Sequence, residues 1–169
     1  MEDSERKALV AGLGRVDPAQ PYGTKLFDAL ARLTVSVAME AVCVRLGKLP
    51  HTVEVYLVQR SKHDTAYPDE WHCPGSVLRP SERFDDVFRR LEEKEFGGKL
   101  LSRRFVAYVD FPEEERGHFL SLVHLCSLEE RPGLRGKWFP VDRLPKKTVG
   151  CHRWRIIPAA VGAFVAEVG

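Results

Sequence analysis

The sequence lacks the features that would place the protein in a membrane or in a disulfide-stabilised class. No stretch approaches the roughly eighteen consecutive apolar residues of a membrane-spanning helix. The first residues also lack the basic start and long apolar centre of a signal peptide, so we expect a cytoplasmic protein with no membrane partner. Only 4 of the 169 residues are cysteine, and no two form a C-x-x-C pair. This scatter predicts buried free thiols rather than a zinc site or a disulfide framework.

The sequence also has little net charge, with 26 Lys and Arg against 24 Asp and Glu, a balance of +2. A total this small does not by itself call for a nucleic-acid partner. The distribution is uneven, because the segment 131–155 has Asp142 as its one acid. Its cations are Arg131, Arg135, Lys137, Arg143, Lys146, Lys147, Arg153 and Arg155. Such a basic segment attracts the phosphates of a nucleotide or of RNA, or simply keeps a domain in solution, and the sequence leaves both open.

Length and composition indicate one globular domain. The chain is 44% hydrophobic and 30% charged, a balance that supports a full core. The prolines and glycine at Pro18, Pro21 and Gly23 break a polar beginning. We therefore predict an N-terminal arm, residues 1–22, and a single domain, residues 23–169.

Hydrophobic periodicity predicts interleaved helices and strands in this domain. The predicted helices are 24–33, a central one from about 82 to 96, and 155–168, with Pro158 in the first turn of the last. The predicted strands are 34–46, 53–59, 105–111, 119–125 and a short one at 138–140. Because these elements do not follow a regular βαβ rhythm, we expect an α/β (α+β) sandwich with a mixed sheet between helices.

The stretch 69–98 is the most informative part of the chain. It turns at Pro74 and Gly75, runs through a short apolar segment and enters an acid-rich helix with Ser81 as the expected N-cap. One apolar stripe of this helix consists of Phe84, Val87, Phe88 and Leu91. The glycines Gly97 and Gly98 end it. A strand, a turn and such a helix gather backbone amides and carboxylates around one volume, which suits a ligand with phosphates and a divalent cation.

The order of these parts resembles the Nudix box, here residues 75–97. The residues at the family's spacing are Trp71, Pro74, Gly75, Glu82, Arg90, Glu95 and Gly97. The resemblance implies the Nudix fold. It also implies magnesium-dependent hydrolysis of a nucleoside diphosphate linked to another moiety, in which water attacks phosphorus and the metal neutralises the developing charge.

The acidic residues of the box depart from the family's pattern. Family members hold magnesium with three glutamates at i, i+3 and i+4 of one helical face. In the gap-free register these positions are Leu91, Lys94 and Glu95, so only one is a carboxylate. Sliding the register by one residue in one direction gives Arg90, Glu93 and Lys94, again with one carboxylate. Sliding it in the other direction gives Glu92, Glu95 and Phe96, which moves the acids towards the apolar stripe. We therefore interpret the box as degenerate, with the fold kept and the standard metal site damaged.

Three hypotheses follow, and enzyme status stays open among them. In a magnesium-dependent hydrolase, the resemblance assigns the metal to Glu82, Glu92 and Glu95. It assigns catalysis to Glu92, Glu93, Glu95 and Arg90. Nucleotide contacts would come from Gly75, Trp71, Lys146 and Lys147.

The second hypothesis is an inactive Nudix-fold domain that binds a nucleotide, another diphosphate compound, RNA or a protein, with the RNA on segment 131–155. The third is a hydrolase with an unusual metal arrangement that uses acids from a predicted loop at 112–117. The sequence leaves the oligomeric state open, with a homodimer as one option.

Overall fold

The computed structural model describes residues 1–21 and 23–168, except for the side chain of Thr24. The described part of the chain forms four α-helices: α1 (Asp3–Leu13), α2 (Thr24–Ala31), α3 (Phe84–Leu91) and α4 (Ile157–Val168). It forms seven strands: β1 (Val35–Leu46), β2 (Val53–Gln59), β3 (Trp71–His72), β4 (Gly75–Val77), β5 (Leu100–Glu114), β6 (Gly117–Leu128) and β7 (Lys137–Pro140). Two π-helical turns, Glu92–Phe96 and His152–Ile156, adjoin α3 and α4.

The strands form one mixed sheet with β1 at its centre. The order β3-β2-β1-β6-β5 places β6 parallel to β1 along one edge. The other edge of β1 pairs antiparallel with β4 at residues 38–40 and with β2 at residues 44–46. The predicted mixed sheet is therefore confirmed, and each half of β1 has a different partner on one side.

The sheet separates two hydrophobic cores. On one face, Val87, Phe88 and Leu91 of α3 pack in the same cluster as Met39 and Ala41 of β1. Successive strand residues point to opposite faces, so the second core uses the alternate positions of β1. That core includes Val42, Val44, Ile157 and Ala160. The arrangement of helices on both faces of a mixed sheet matches the predicted α/β sandwich.

Three local predictions are corrected by the structure. Ser81 does not cap the central helix, because it has a φ of 66° and lies before the helix. The N-cap is Arg83, whose backbone N–H donates to the Asp86 carboxylate at 2.9 Å. The predicted loop at 112–117 is mostly strand, since β5 continues to Glu114 and β6 begins at Gly117. The last helix begins as α4 at Ile157, after a π-helical turn.

The N-terminal segment contains α1, in which no residue is buried. The boundary of the predicted arm at residue 22 stays a prediction. Among the described residues, no helix combines the length and apolar character needed to cross a bilayer.

Candidate functional site

A cleft of about 1000 Å³ lies between α2, the first half of β1, the loop 61–65 and the turn that includes β4. Its volume is at the upper end of the range of about 300–1,000 Å³ that is usual for small-molecule pockets. Apolar side chains such as Phe27, Leu30 and Phe119 form part of the wall. Its charged lining residues are Glu40, Asp64, Arg79, Arg90 and Arg116.

Glu40 lies in the cleft wall at the centre of the sheet and is only 6% exposed. Its Oε1 accepts a hydrogen bond from Ser121 Oγ at 3.2 Å, whereas its Oε2 has no hydrogen-bond partner among the described residues. Burial raises the pKa of this carboxyl group from 4.5 to about 7, against smaller opposing effects of Ser121 and Arg60. Gly75 lies opposite on β4, where a Cβ would overlap Oε2. Glycine at this turn therefore leaves the carboxyl group the space that it occupies.

Arg90 joins α3 to the turn before it. Its Nε and Nη2 donate to the two carboxylate oxygens of Glu82 at 3.1 and 2.8 Å. Nη2 also donates to the Val77 carbonyl at 3.1 Å, and Nη1 donates to Ser76 Oγ. Burial opposes ionisation of Glu82, but the hydrogen bonds from Arg90 and Arg79 outweigh it and hold the Glu82 pKa below its ordinary value. Arg90 and Glu82 therefore form an ion pair with each other.

Glu92 faces the start of β5. Its carboxylate accepts hydrogen bonds from Lys99 Nζ at 2.7 Å and from the Leu100 backbone N–H at 2.9 Å. The next acid, Glu93, is exposed. Leu91, which occupies a glutamate position in the gap-free register, is 1% exposed in the core. These residues do not converge on the cleft.

Glu95 lies beside a buried histidine. Its Oε2 is 3.9 Å from His72 Nε2. Burial raises the pKa of Glu95, while the cations Arg60 and Arg135 oppose the rise. Burial also lowers the pKa of His72, so this histidine is neutral near pH 7 and the contact is not an ion pair.

The remaining predicted contacts lie elsewhere. Trp71 packs edge-on against Phe139, with ring centroids 4.8 Å apart, at the border of the second core. Its backbone N–H donates to the Lys147 carbonyl at 2.7 Å, while the side chains of Lys146 and Lys147 are exposed. Of the site residues predicted from the sequence, the described lining of the cleft includes Gly75 and Arg90.

Comparison with known proteins gives a result at the level of structure. No protein-family model matches this sequence, and no curated protein sequence is similar enough to match. Among solved structures, the MutT NUDIX hydrolase from Burkholderia pseudomallei aligns with a TM-score of 0.57 and 23% identity, over 71% of this chain and 94% of the other. The NUDIX domain of Shewanella oneidensis NrtR, solved with ADP ribose, aligns with a TM-score of 0.58 and 17% identity over 99% of each chain. The chain has the Nudix fold. A third Nudix-fold structure, a MutT/nudix family protein from Enterococcus faecalis, aligns with a TM-score of 0.60 and 16% identity over 98% of this chain and 75% of the other.

The acids of this Nudix-fold chain do not fit a magnesium site. Magnesium requires a near-octahedral set of oxygens, usually with one or two carboxylates directed at it. Here Glu82 is paired with Arg90, Glu92 with Lys99, and Glu95 lies beside His72. Within residues 1–21 and 23–168, no group of three or more His, Cys, Asp or Glu side chains is arranged to hold a metal ion.

Sequence reasoning missed two features of the cleft. Glu40 is the first, although one sequence signal pointed to it: it is the single acid in the apolar run of β1. The second is Arg116, which pairs with Asp28 of α2 at 3.5 Å and with Asp64 at 2.7 Å and so ties α2 and the loop 61–65 to the β5–β6 turn. These residues are far apart in sequence, and no local spacing relates them.

Proposed function

We propose that this Nudix-fold chain binds a nucleotide or related diphosphate compound in the cleft, without magnesium-dependent hydrolysis. The observation that carries the proposal is the set of contacts that the acids of the box make. Glu82 and Glu92 are each paired with a cation and Glu95 lies beside the neutral His72, while the cleft holds a buried carboxyl group with one oxygen that has no hydrogen-bond partner among the described residues. A pocket of this volume with a few convergent polar groups is the usual form of a ligand site.

Among the described lining residues, Arg79 is the arginine that is free to face the phosphates of such a ligand, since no ion pair of its side chain is found there. Arg90 and Arg116 are paired with carboxylates, but Arg79 is half-buried in the wall and its side chain donates to the Ala19 carbonyl at 3.4 Å. A guanidinium group can donate two parallel hydrogen bonds to a phosphate. The ADP ribose bound to the NUDIX domain of NrtR is a compound of this class and makes a suitable probe.

Calorimetric titration with ADP-ribose, in magnesium and in EDTA, tests this proposal. We expect equal affinity in both buffers and no release of products. Arg79→Ala should weaken binding by at least about tenfold, because a hydrogen bond to a charged group is lost. Arg15→Ala, an exposed arginine outside the cleft lining, is the matched control for the change in charge. Binding that requires magnesium would contradict the proposal.

The second candidate is a Nudix hydrolase of weak or altered activity, favoured by Glu95 alone. Glu95 keeps a carboxylate at a metal position of the gap-free register, and burial raises its pKa towards the range of a general base. Chromatography of ADP-ribose after incubation with magnesium distinguishes the two functions. Product formation that disappears in Glu92→Gln and Glu95→Gln supports the hydrolase, and an absence of products under all conditions rejects it.

RNA binding on segment 131–155 is favoured by one exposed aromatic residue. Trp154 is 72% exposed and lies 5.8 Å from the Arg153 guanidinium, in the same segment as the exposed Lys146 and Lys147. Aromatic rings within a basic surface stack the bases of single strands. Fluorescence anisotropy with a short single-stranded RNA should show salt-sensitive binding that weakens in Lys146→Ala/Lys147→Ala and in Trp154→Ala. The control Lys48→Ala/Lys62→Ala removes the same charge elsewhere, and an equal loss in that control would reject the site.

We further propose a homodimer through β5. This strand lies at the end of the sheet path, with β6 as its strand partner in the described chain. Its exposed apolar side chains include Phe105, 51% exposed, and Tyr108, 69% exposed. Long exposed edge strands readily pair with another strand.

The sequence of β5 is complementary to itself in the antiparallel direction. The registers with β6 place Arg103, Phe105, Tyr108 and Asp110 on one face. A two-fold axis that sets Phe105 opposite Tyr108 of the second copy also sets Arg103 opposite Asp110. Aromatic pairs and opposite charges in facing positions both stabilise antiparallel strands, which supports a second copy of this chain as the partner.

A further inference from the structure

We propose that Glu40 determines which ligand the cleft accepts. Its carboxyl group accepts a hydrogen bond from a neutral N–H or O–H group in the part of the ligand that carries no phosphate. The inference rests on the proposed binding function and adds the chemistry of recognition to it. Two sources share this chemistry, the amino edge of a nucleobase and a ribose hydroxyl group.

The first argument is the state of the two carboxyl oxygens. Ser121 satisfies Oε1, but Oε2 is buried and has no hydrogen-bond partner among the described residues. Buried polar atoms are nearly always hydrogen-bonded, so an exception needs an explanation. Glu40 also lines the cleft. A ligand donor is a partner that would satisfy Oε2 without any change in the fold.

The second argument is the space beside Oε2. Gly75 is paired with Glu40 across β1 and β4, and any side chain at position 75 would overlap the carboxyl group. Position 75 also lines the cleft. The glycine thus leaves Oε2 in a position next to the cavity, where a ligand donor can approach from the cleft side.

The third argument is the charge around Glu40. The titratable groups that face it are Arg60 from the end of β2, Glu114 from β5, Cys73 before β4, and Cys151. Arg60 donates instead to Asp64, at 3.0 Å. Because no cation is bonded to Glu40 among the described residues, its negative charge repels a phosphate. The phosphates of the ligand therefore face Arg79 on the wall, and an uncharged donor faces Glu40.

Calorimetric titration with ADP-ribose at pH 6, 7 and 8 tests the inference. Neither the diphosphate bridge nor the adenine ring of this probe titrates in that range, so a pH dependence would belong to the protein. We expect affinity to rise with pH, because an ionised carboxylate accepts a hydrogen bond more strongly than a protonated one. Glu40→Gln keeps the shape and removes the charge, and should bind about tenfold more weakly at pH 8 with little pH dependence. Glu129→Gln, a surface acid outside the cleft lining, should behave as the parent chain does.

The outcomes separate this inference from the proposal on which it rests. If the parent chain binds ADP-ribose and Glu40→Gln binds equally well at every pH, the role of Glu40 is rejected and the binding function stands. If the parent chain binds neither ADP-ribose nor ADP, both are rejected.

The source of the donor is then identified at pH 8 with ADP, 2′-deoxy-ADP and purine riboside 5′-diphosphate, which lacks the amino group. One analogue should bind the parent chain more weakly than ADP does, yet bind Glu40→Gln with the same affinity as ADP. The group that this analogue lacks is the group in contact with Oε2. Equal binding of all three compounds to the parent chain would reject a base amino or 2′-hydroxyl contact. Circular dichroism of Glu40→Gln checks that the fold is retained.

Discussion

Glu40 carries a carboxyl group into a central strand whose neighbours on both sides are apolar. Burial disfavours the charged form of this group and raises its pKa to about 7, so the ionised carboxylate lowers the stability of the folded protein. The unfolded chain loses this proton near the ordinary value of 4.5, whereas the folded chain keeps it to about 7. Between these values the folded state binds more protons, so the free energy of unfolding falls as pH rises. Above pH 7 this loss in the free energy of unfolding reaches its full value of about 3 kcal/mol.

Glu40→Gln should therefore stabilise the protein at pH 8 and have little effect at pH 4.5. The expected gain is up to about 3 kcal/mol, from the same difference in pKa. Urea unfolding of the parent chain and of the variant at pH 4.5 and pH 8 measures it. Equal stabilities at pH 8 would mean that the carboxyl group is not desolvated as the structure indicates. A gain in stability together with a loss of ligand affinity is the usual exchange at a binding site.

At the scale of elements, Arg90 is the residue that fixes the β4 turn to α3. Its guanidinium reaches Glu82, Val77 and Ser76 at once, and a lysine ammonium cannot reproduce this planar set of donors. Arg90→Lys should lower the free energy of unfolding by about 2 kcal/mol at pH 7. Since the pKa of Glu82 is lowered, the effect should shrink as pH falls below 4.5 and Glu82 becomes protonated.

Chemical denaturation at pH 7 and pH 3 measures this effect, and α3 supplies a matched control. Arg89 is exposed and pairs with Asp86 within the helix, so Arg89→Lys should change stability by no more than about 0.5 kcal/mol. Similar decreases in the free energy of unfolding of both variants would show that Arg90 contributes no more to stability than the exposed Arg89 does.

The sequence predicts α3 well up to Leu91 but not the π-helical turn that follows. Of the predicted stripe, Val87, Phe88 and Leu91 are buried as its period indicates, whereas Phe84 at the start of the helix is 49% exposed. In a continuous α-helix, Glu95 would follow Leu91 on the same face at i+4. The π-helical turn instead brings Phe96 into the core, where it is fully buried. Burial of the Phe96 side chain stabilises the π-helical turn more than a continued α-helical register would. Because this turn changes the face on which each glutamate lies, α-helical spacing could not predict which way the carboxylates point.

At the scale of the whole molecule, the cleft depends on contacts that no local pattern contains. Strand periodicity predicted β1 and β2 closely, but it could not show that both faces of β1 are covered, which is what buries Glu40. The cleft also needs α2 and the loop 61–65, which Arg116 holds through Asp28 and Asp64. Such long-range ion pairs are set by topology. The Nudix-like box therefore located one wall of the cleft and missed its buried acid.

The edge strand β5 gives the molecule-scale prediction, a dimer in which Arg103 faces Asp110 of the second copy. Arg103→Asp alone should place two acids opposite each other and weaken association, since like charges in facing positions are destabilising. Arg103→Asp/Asp110→Arg restores opposite charges at both symmetry-related pairs and should restore the dimer. Analytical ultracentrifugation over a concentration series measures the dissociation constant of each. In one copy Arg103 also pairs with Asp85 and Asp110 with His118, so Asp85→Asn and His118→Gln control for these internal contacts. A parent chain that is monomeric at all concentrations, or a double variant no better than the single one, would rule out this pairing of strands.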